Sequence, residues 1–90
     1  MEQIRILAVD DEPDLRSLLR ILLNNKGYEV LEAASGQEAV EIVRSEPRID
    51  LVIMDIMMPG LNGVEACAEI RKFSTVPILF LTAKSQLSDK

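Results

Sequence analysis

The chain has no histidine and no tryptophan, and its single cysteine is Cys67. Without histidine there is no imidazole general base, and the commonest ligand of a zinc site is gone. One cysteine excludes an internal disulfide, and nothing in its use points to an oxidising compartment. Cys67 falls in a predicted helix, where a small buried hydrophobe is its expected role. Aromatics are confined to Tyr28, Phe73 and Phe80, so a core must come from Leu, Ile, Val, Ala and Met. No apolar run is long enough to span a bilayer, and no charged-then-apolar leader opens the chain; a cytoplasmic protein without membrane contact is expected. Lysines and arginines form no cluster, and the net charge is −5, which argues against direct nucleic-acid binding by this domain.

What remains is one small domain's worth of chain, 90 residues with 48% apolar content. Gln3–Val9 reads as a first strand ending at Asp10-Asp11-Glu12. Pro13 suits a helix's first turn, and Leu15, Leu18, Leu19, Leu22 and Leu23 then recur on one helical face. Gly27 is the expected left-handed residue after that helix. Tyr28–Ala33 alternates as a second strand, and Glu29 and Glu32 mark it as an edge. Ser35 with Glu38 predicts a capping box for a second helix, whose Ala39, Val40, Ile42 and Val43 face inward and which ends before Pro47. Asp50–Met54 is the third and most central strand. A third helix over Val64–Lys72 is expected to bury Val64, Cys67, Ala68 and Ile70. Pro77–Leu81 is the fourth strand, and the polar Ser85–Lys90 could open another helix. Strands alternating with helices predict a parallel α/β sheet covered on both faces.

The stretch Leu51-Val52-Ile53-Met54-Asp55, broken by Met58-Pro59-Gly60, organises this pattern. An apolar run ending in one aspartate reads as a buried parallel strand that brings a carboxylate to its carboxyl end, where open α/β sheets bind ligands; taken alone, Asp55 reads equally well as a turn or cap residue. The first strand ends likewise in Asp10 and Asp11, and the fourth in Thr82. If these strands are neighbours, about 4.8 Å apart, their terminal side chains converge. Crowded carboxylates repel, and a hard divalent cation such as Mg²⁺ relieves the conflict while keeping waters for a phosphate. Helix capping would explain one acid of Asp10-Asp11-Glu12 but not the others.

Asp10-Asp11-Glu12-Pro13, Asp55 with Met58-Pro59-Gly60 and Asn62-Gly63, and Leu81-Thr82-Ala83-Lys84 together resemble the receiver domain of two-component response regulators, in order and spacing over the whole chain. The segment 57–63 followed by 77–85 is most similar to the subgroup with a winged-helix DNA-binding output domain. The resemblance implies a flavodoxin-like fold with strand order 2-1-3-4 in this chain. It implies that Asp55 accepts a phosphoryl group from a sensor histidine kinase, that Asp10, Asp11, Asp55 and the Met57 backbone carbonyl hold Mg²⁺, and that Thr82 contacts the phosphoryl group and acts as the switch. It implies a regulatory, phosphorelay domain, expected not to be an enzyme, that controls a transcriptional output.

The family's pattern continues through a fourth helix, a fifth strand with a lysine, and a fifth helix. Lys90 falls near the start of that fourth helix, and Lys84 stands too close to Thr82 to replace the lysine. Residues 1–90 therefore read as one receiver domain, C-terminally truncated. Two other readings follow. A half-domain lacking its fifth strand would expose the apolar fourth-strand edge and serve as a self-associating folding or assembly unit without signalling activity. A Mg²⁺-dependent phosphatase with an aspartyl-phosphate intermediate would need a second aspartate two residues after Asp55, where Met57 stands.

Overall fold

A computed structural model describes residues 3–46 and 48–81. Strand β1 (Arg5–Val9) leads into helix α1 (Pro13–Asn25), β2 (Glu29–Ala33), α2 (Gly36–Ser45), β3 (Leu51–Asp55), α3 (Gly63–Ile70) and β4 (Ile78–Leu81). All pairings are parallel, and the order among the described residues is β2-β1-β3-β4. This is the expected flavodoxin-like arrangement, with β2 on one edge and both β1 and β3 inside. Thr82 and the segment Ser85–Lys90 lie outside the described residues, as does Pro47.

Alternation along the strands divides the apolar residues between two faces. Leu7 and Val9 of β1 and Val52 and Met54 of β3 pack with Ala39, Val40 and Val43 of α2 and Ala66 and Ile70 of α3, which form one core layer. Ile6, Ala8 and Ile53 point the other way, toward the side of α1. Burying side chains such as Leu7, Met54 and Ile70 contributes about 1.5–3 kcal/mol each.

Helix ends follow local chemistry. Gly27 has φ +93°, and the Gly27 and Tyr28 amides donate to the Asn24 and Leu23 carbonyls, closing α1. Asn62 caps α3 in a full capping box with Glu65. Ser35 caps α2 by accepting from the Glu38 amide, but the box expected there is incomplete: the Glu38 carboxylate reaches past Ser35 to the Ala34 N–H at 2.7 Å.

Three expectations need correction. Leu18 and Leu22 of α1 are exposed and no residue of that helix is fully buried, because α1 sits mainly against β1 and β2 and its apolar stripe overhangs them. In α3 the buried face is Gly63, Ala66 and Ile70, whereas Val64 and Ala68 are exposed and Cys67 is half-buried. The cause is the small-residue approach of this helix to the end of β3, which sets its rotation. Asp55 is the last residue of β3 rather than the first residue after it, so the strand runs from Leu51 to Asp55.

Candidate functional site

Register brings the acidic residues together. Val9 of β1 lies opposite Met54 of β3, so the next residue on each strand, Asp10 and Asp55, emerges at the same level of the sheet. Asp10 and Asp55 are 0% and 1% exposed, whereas Asp11 is exposed. One carboxylate oxygen from each of Asp10, Asp11 and Asp55 lies within 4.8 Å of the others. This is the grouping that the two strand ends predicted, with two acids inside and one at the solvent boundary.

Each buried acid is oriented by backbone. Asp10 donates its N–H to the Ala33 carbonyl at the end of β2 (3.1 Å) and accepts from the Glu12 N–H on Oδ1 (2.8 Å). The Asp55 Oδ1 accepts from the Met57 N–H at 3.2 Å. Both carboxylates thus bend back onto the loop that follows their own strand. Met57 itself is 59% exposed, so its side chain takes no part in the core. Helix α3 seals the base of the site: the Gly63 N–H donates to the Ile56 carbonyl at 3.0 Å, and a Cβ placed on Gly63 would lie 2.5 Å from the Asp55 carbonyl oxygen.

The donor set fits Mg²⁺. It is all oxygen, and the three oxygens gather within 4.8 Å of one another, close enough to share one hard cation. Exposure of Asp11 leaves room for water ligands, which this ion keeps. Thr82, the remaining expected site residue, lies outside the described residues; its neighbour Leu81 pairs with Asp55.

Arg16 and Glu32 join the site without having been expected there. The Arg16 guanidinium donates from Nη1 to the Asp10 carbonyl at 2.7 Å and from Nε to Glu32 at 2.9 Å. Glu32 suggested only an edge strand from the sequence. Its pairing with α1 depends on where β2 lies relative to β1, and no local signal carries that.

Comparison with known proteins agrees with this geometry. Residues 6–90 match the response regulator receiver domain family. The transcriptional regulatory protein YrkP of Bacillus subtilis is 54% identical over 86 residues, covering 96% of this chain and 36% of YrkP. The response regulator TrrA from Thermotoga maritima, solved in complex with Mg²⁺-BeF, is 47% identical with a TM-score of 0.85, over 97% of this chain and 76% of TrrA. In its complex with the histidine kinase ThkA, TrrA matches 90% of this chain and 70% of its own at 46% identity, with a TM-score of 0.82. The chain spans about a third of the length of the curated relatives it matches. The expectation of a domain that is not an enzyme is corrected here: three converging carboxylates, in a chain this similar to one solved with Mg²⁺-BeF, indicate phosphotransfer chemistry. With the strand order, the carboxylate trio and the match over residues 6–90 all in agreement, this chain belongs to the response regulator receiver domain family.

Proposed function

We propose that residues 1–90 form one receiver unit in which Asp55 is the phosphoacceptor. The observation that carries this reading is the convergence of Asp10, Asp11 and Asp55 at the carboxyl ends of β1 and β3. An Asp55 oxygen attacks the phosphorus of a phosphohistidine; the new P–O bond forms as the P–N bond breaks and the imidazole leaves. Water attack on the phosphorus of the resulting acyl phosphate later breaks the new P–O bond, releasing inorganic phosphate and returning the carboxylate. The protein's task is positioning and charge neutralisation. Asp10 and Asp11, with Asp55 and the Met57 carbonyl, hold Mg²⁺, which when bound neutralises charge on the phosphoryl oxygens. Asp10 and Asp55 are held by the Glu12 and Met57 amides, so neither carboxylate must reorganise far to bind. Thr82 follows a residue paired with Asp55 and is assigned the phosphoryl contact that signals modification.

The donor is assigned as a sensor histidine kinase, a reading supported by the TrrA–ThkA complex. The consequence is assigned as control of a transcriptional output in the cytoplasm, supported by similarity to longer transcriptional regulators such as YrkP. The domain's net charge of −5 favours leaving DNA contact to such an output domain. No helix among the described residues is long and apolar enough to cross a membrane. The test is incubation with acetyl phosphate and Mg²⁺, followed by intact mass. The expected result is one added phosphoryl group in the native sequence and none in Asp55→Asn. Equal labelling of Asp55→Asn would reject the assignment.

A second reading concerns partners. On β4, at the edge of the described sheet, Leu79 is 54% and Phe80 36% exposed. An apolar open edge favours pairing with a second copy. Sedimentation velocity over a range of concentrations should show a rising mass; a monodisperse monomer at high concentration would reject self-association.

A further inference from the structure

The geometry points to Arg16 as a positioning residue for the acidic site, acting through the backbone of Asp10; this inference rests on the Mg²⁺-binding reading above. Arg16 closes the first turn of α1, donating its N–H to the Glu12 carbonyl at 3.0 Å. Its guanidinium turns back under the same loop and holds the Asp10 carbonyl at 2.7 Å. From the other side, Glu32 on β2 holds Nε at 2.9 Å. One side chain therefore ties the start of α1, the end of β1 and the neighbouring strand together at the residue that carries a fully buried carboxylate.

The arrangement answers a specific physical problem. Asp10, Asp11 and Asp55 repel one another, and that repulsion pushes outward on the loop from Asp10 to Glu12. A fixed cation on the Asp10 carbonyl opposes the push, and the fork holds it in two directions at once. Lysine cannot reproduce this, because a single ammonium on a flexible stem does not present two donors in a fixed plane. Glu32 also forms an ion pair with Arg20, whose Nε lies 2.8 Å from its second oxygen. Arg20 is the more exposed, at 41% against 17% for Arg16, and it reaches the carboxylate without gripping the Asp10 carbonyl. Arg20 is therefore the internal control: same helix, same carboxylate partner, same charge, no hold on Asp10.

The experiment is Mg²⁺ titration of the full 90-residue chain by amide NMR, comparing the native sequence with Arg16→Lys, Arg16→Gln, Arg20→Gln and Asp11→Asn. Native binding that weakens in Asp11→Asn establishes the site; a native chain without Mg²⁺-dependent shifts rejects the site reading itself. Given native binding, both Arg16 variants should weaken Mg²⁺ by about tenfold, the lower end of losses seen when groups supporting metal ligands are removed. Arg20→Gln should stay near native. Arg16→Lys affinity equal to native, or equal losses in Arg16→Gln and Arg20→Gln, would overturn the proposal. Hydrogen exchange without Mg²⁺ supplies a readout independent of metal. In Arg16→Lys, faster exchange at the Asp10 and Glu12 amides, with native exchange at Gly27 and Tyr28, supports local positioning. Uniformly faster exchange along α1 would instead mean that Arg16 only docks the helix, and would overturn it.

Discussion

Gly63→Ala should destabilise the fold through the backbone at the end of β3, where Asp55 stands. A Cβ at this position would lie 2.5 Å from the Asp55 carbonyl oxygen and 2.9 Å from the Ile56 Cα, both main-chain atoms. Ordinary carbon contacts sit near roughly 3.5 Å, so α3 must retreat by roughly 1 Å from the end of β3. Neither obstacle is the tip of a flexible side chain, and the Gly63 N–H bond to Ile56 resists the retreat. Overpacking of this kind costs about 1–3 kcal/mol, and the better helix propensity of alanine returns less than about 1 kcal/mol at a first-turn position. At about 4–8 °C per kcal/mol for a domain of this size, the net loss should lower the melting temperature by up to roughly 20 °C. Gly27 supplies the contrast. It has φ +93°, and a Cβ added there would meet nothing within 4 Å, so Gly27→Ala costs about 1–2 kcal/mol from backbone conformation alone. Asparagine tolerates the left-handed region, so Gly27→Asn should recover much of that loss, whereas Gly63→Asn should be worse than Gly63→Ala. Thermal unfolding followed by circular dichroism reads all four. A Gly63→Ala midpoint at or above native, or rescue of position 63 by asparagine, would refute the close-approach argument.

Met54→Ala, at a fully buried position between α2 and α3, should cost about 2–5 kcal/mol in urea unfolding, with an unchanged slope. Asn62→Ala removes the cap of α3 and should cost about 0.5–2 kcal/mol, visible as faster hydrogen exchange at the Glu65 amide. Met57→Ala should leave Mg²⁺ affinity within about twofold of native by calorimetry, since the proposed ligand is the carbonyl; a larger loss would assign a role to the exposed side chain.

The fold was legible because each element announces itself locally. Leucine spacing after Pro13 marks α1, Gly27 marks its end, and the apolar runs before Asp10 and Asp55 mark the two inner strands. The carboxylate trio was legible for a related reason: parallel strands must deliver their carboxyl ends to one side, so acids placed just after apolar runs meet once those strands are neighbours. The strand order itself came from family resemblance, because period-2 alternation says which face a residue takes but not which strand lies beside it.

The misread parts depend on contacts between segments far apart in sequence. The rotation of α3 is set by Gly63 against the Asp55 carbonyl and by Ala66 at the helix interface, so the larger Val64 turns outward although its hydrophobicity argues for burial. Hydrophobicity favoured the face of Val64, Cys67, Ala68 and Ile70, but the smaller residues Gly63 and Ala66 face inward because they allow the backbone to come that close. Arg16 and Glu32 were illegible for the same reason. Each looks like a solvated charge in its own element, and only the pairing of β2 with β1 places Glu32 beside the Arg16 guanidinium. A partly buried arginine held by a carboxylate on one side and a main-chain carbonyl on the other has little freedom left to serve as a mere surface charge. The carbonyl it holds belongs to Asp10, so the stiffness of the pair is transmitted to the acidic site rather than to the exposed surface of α1.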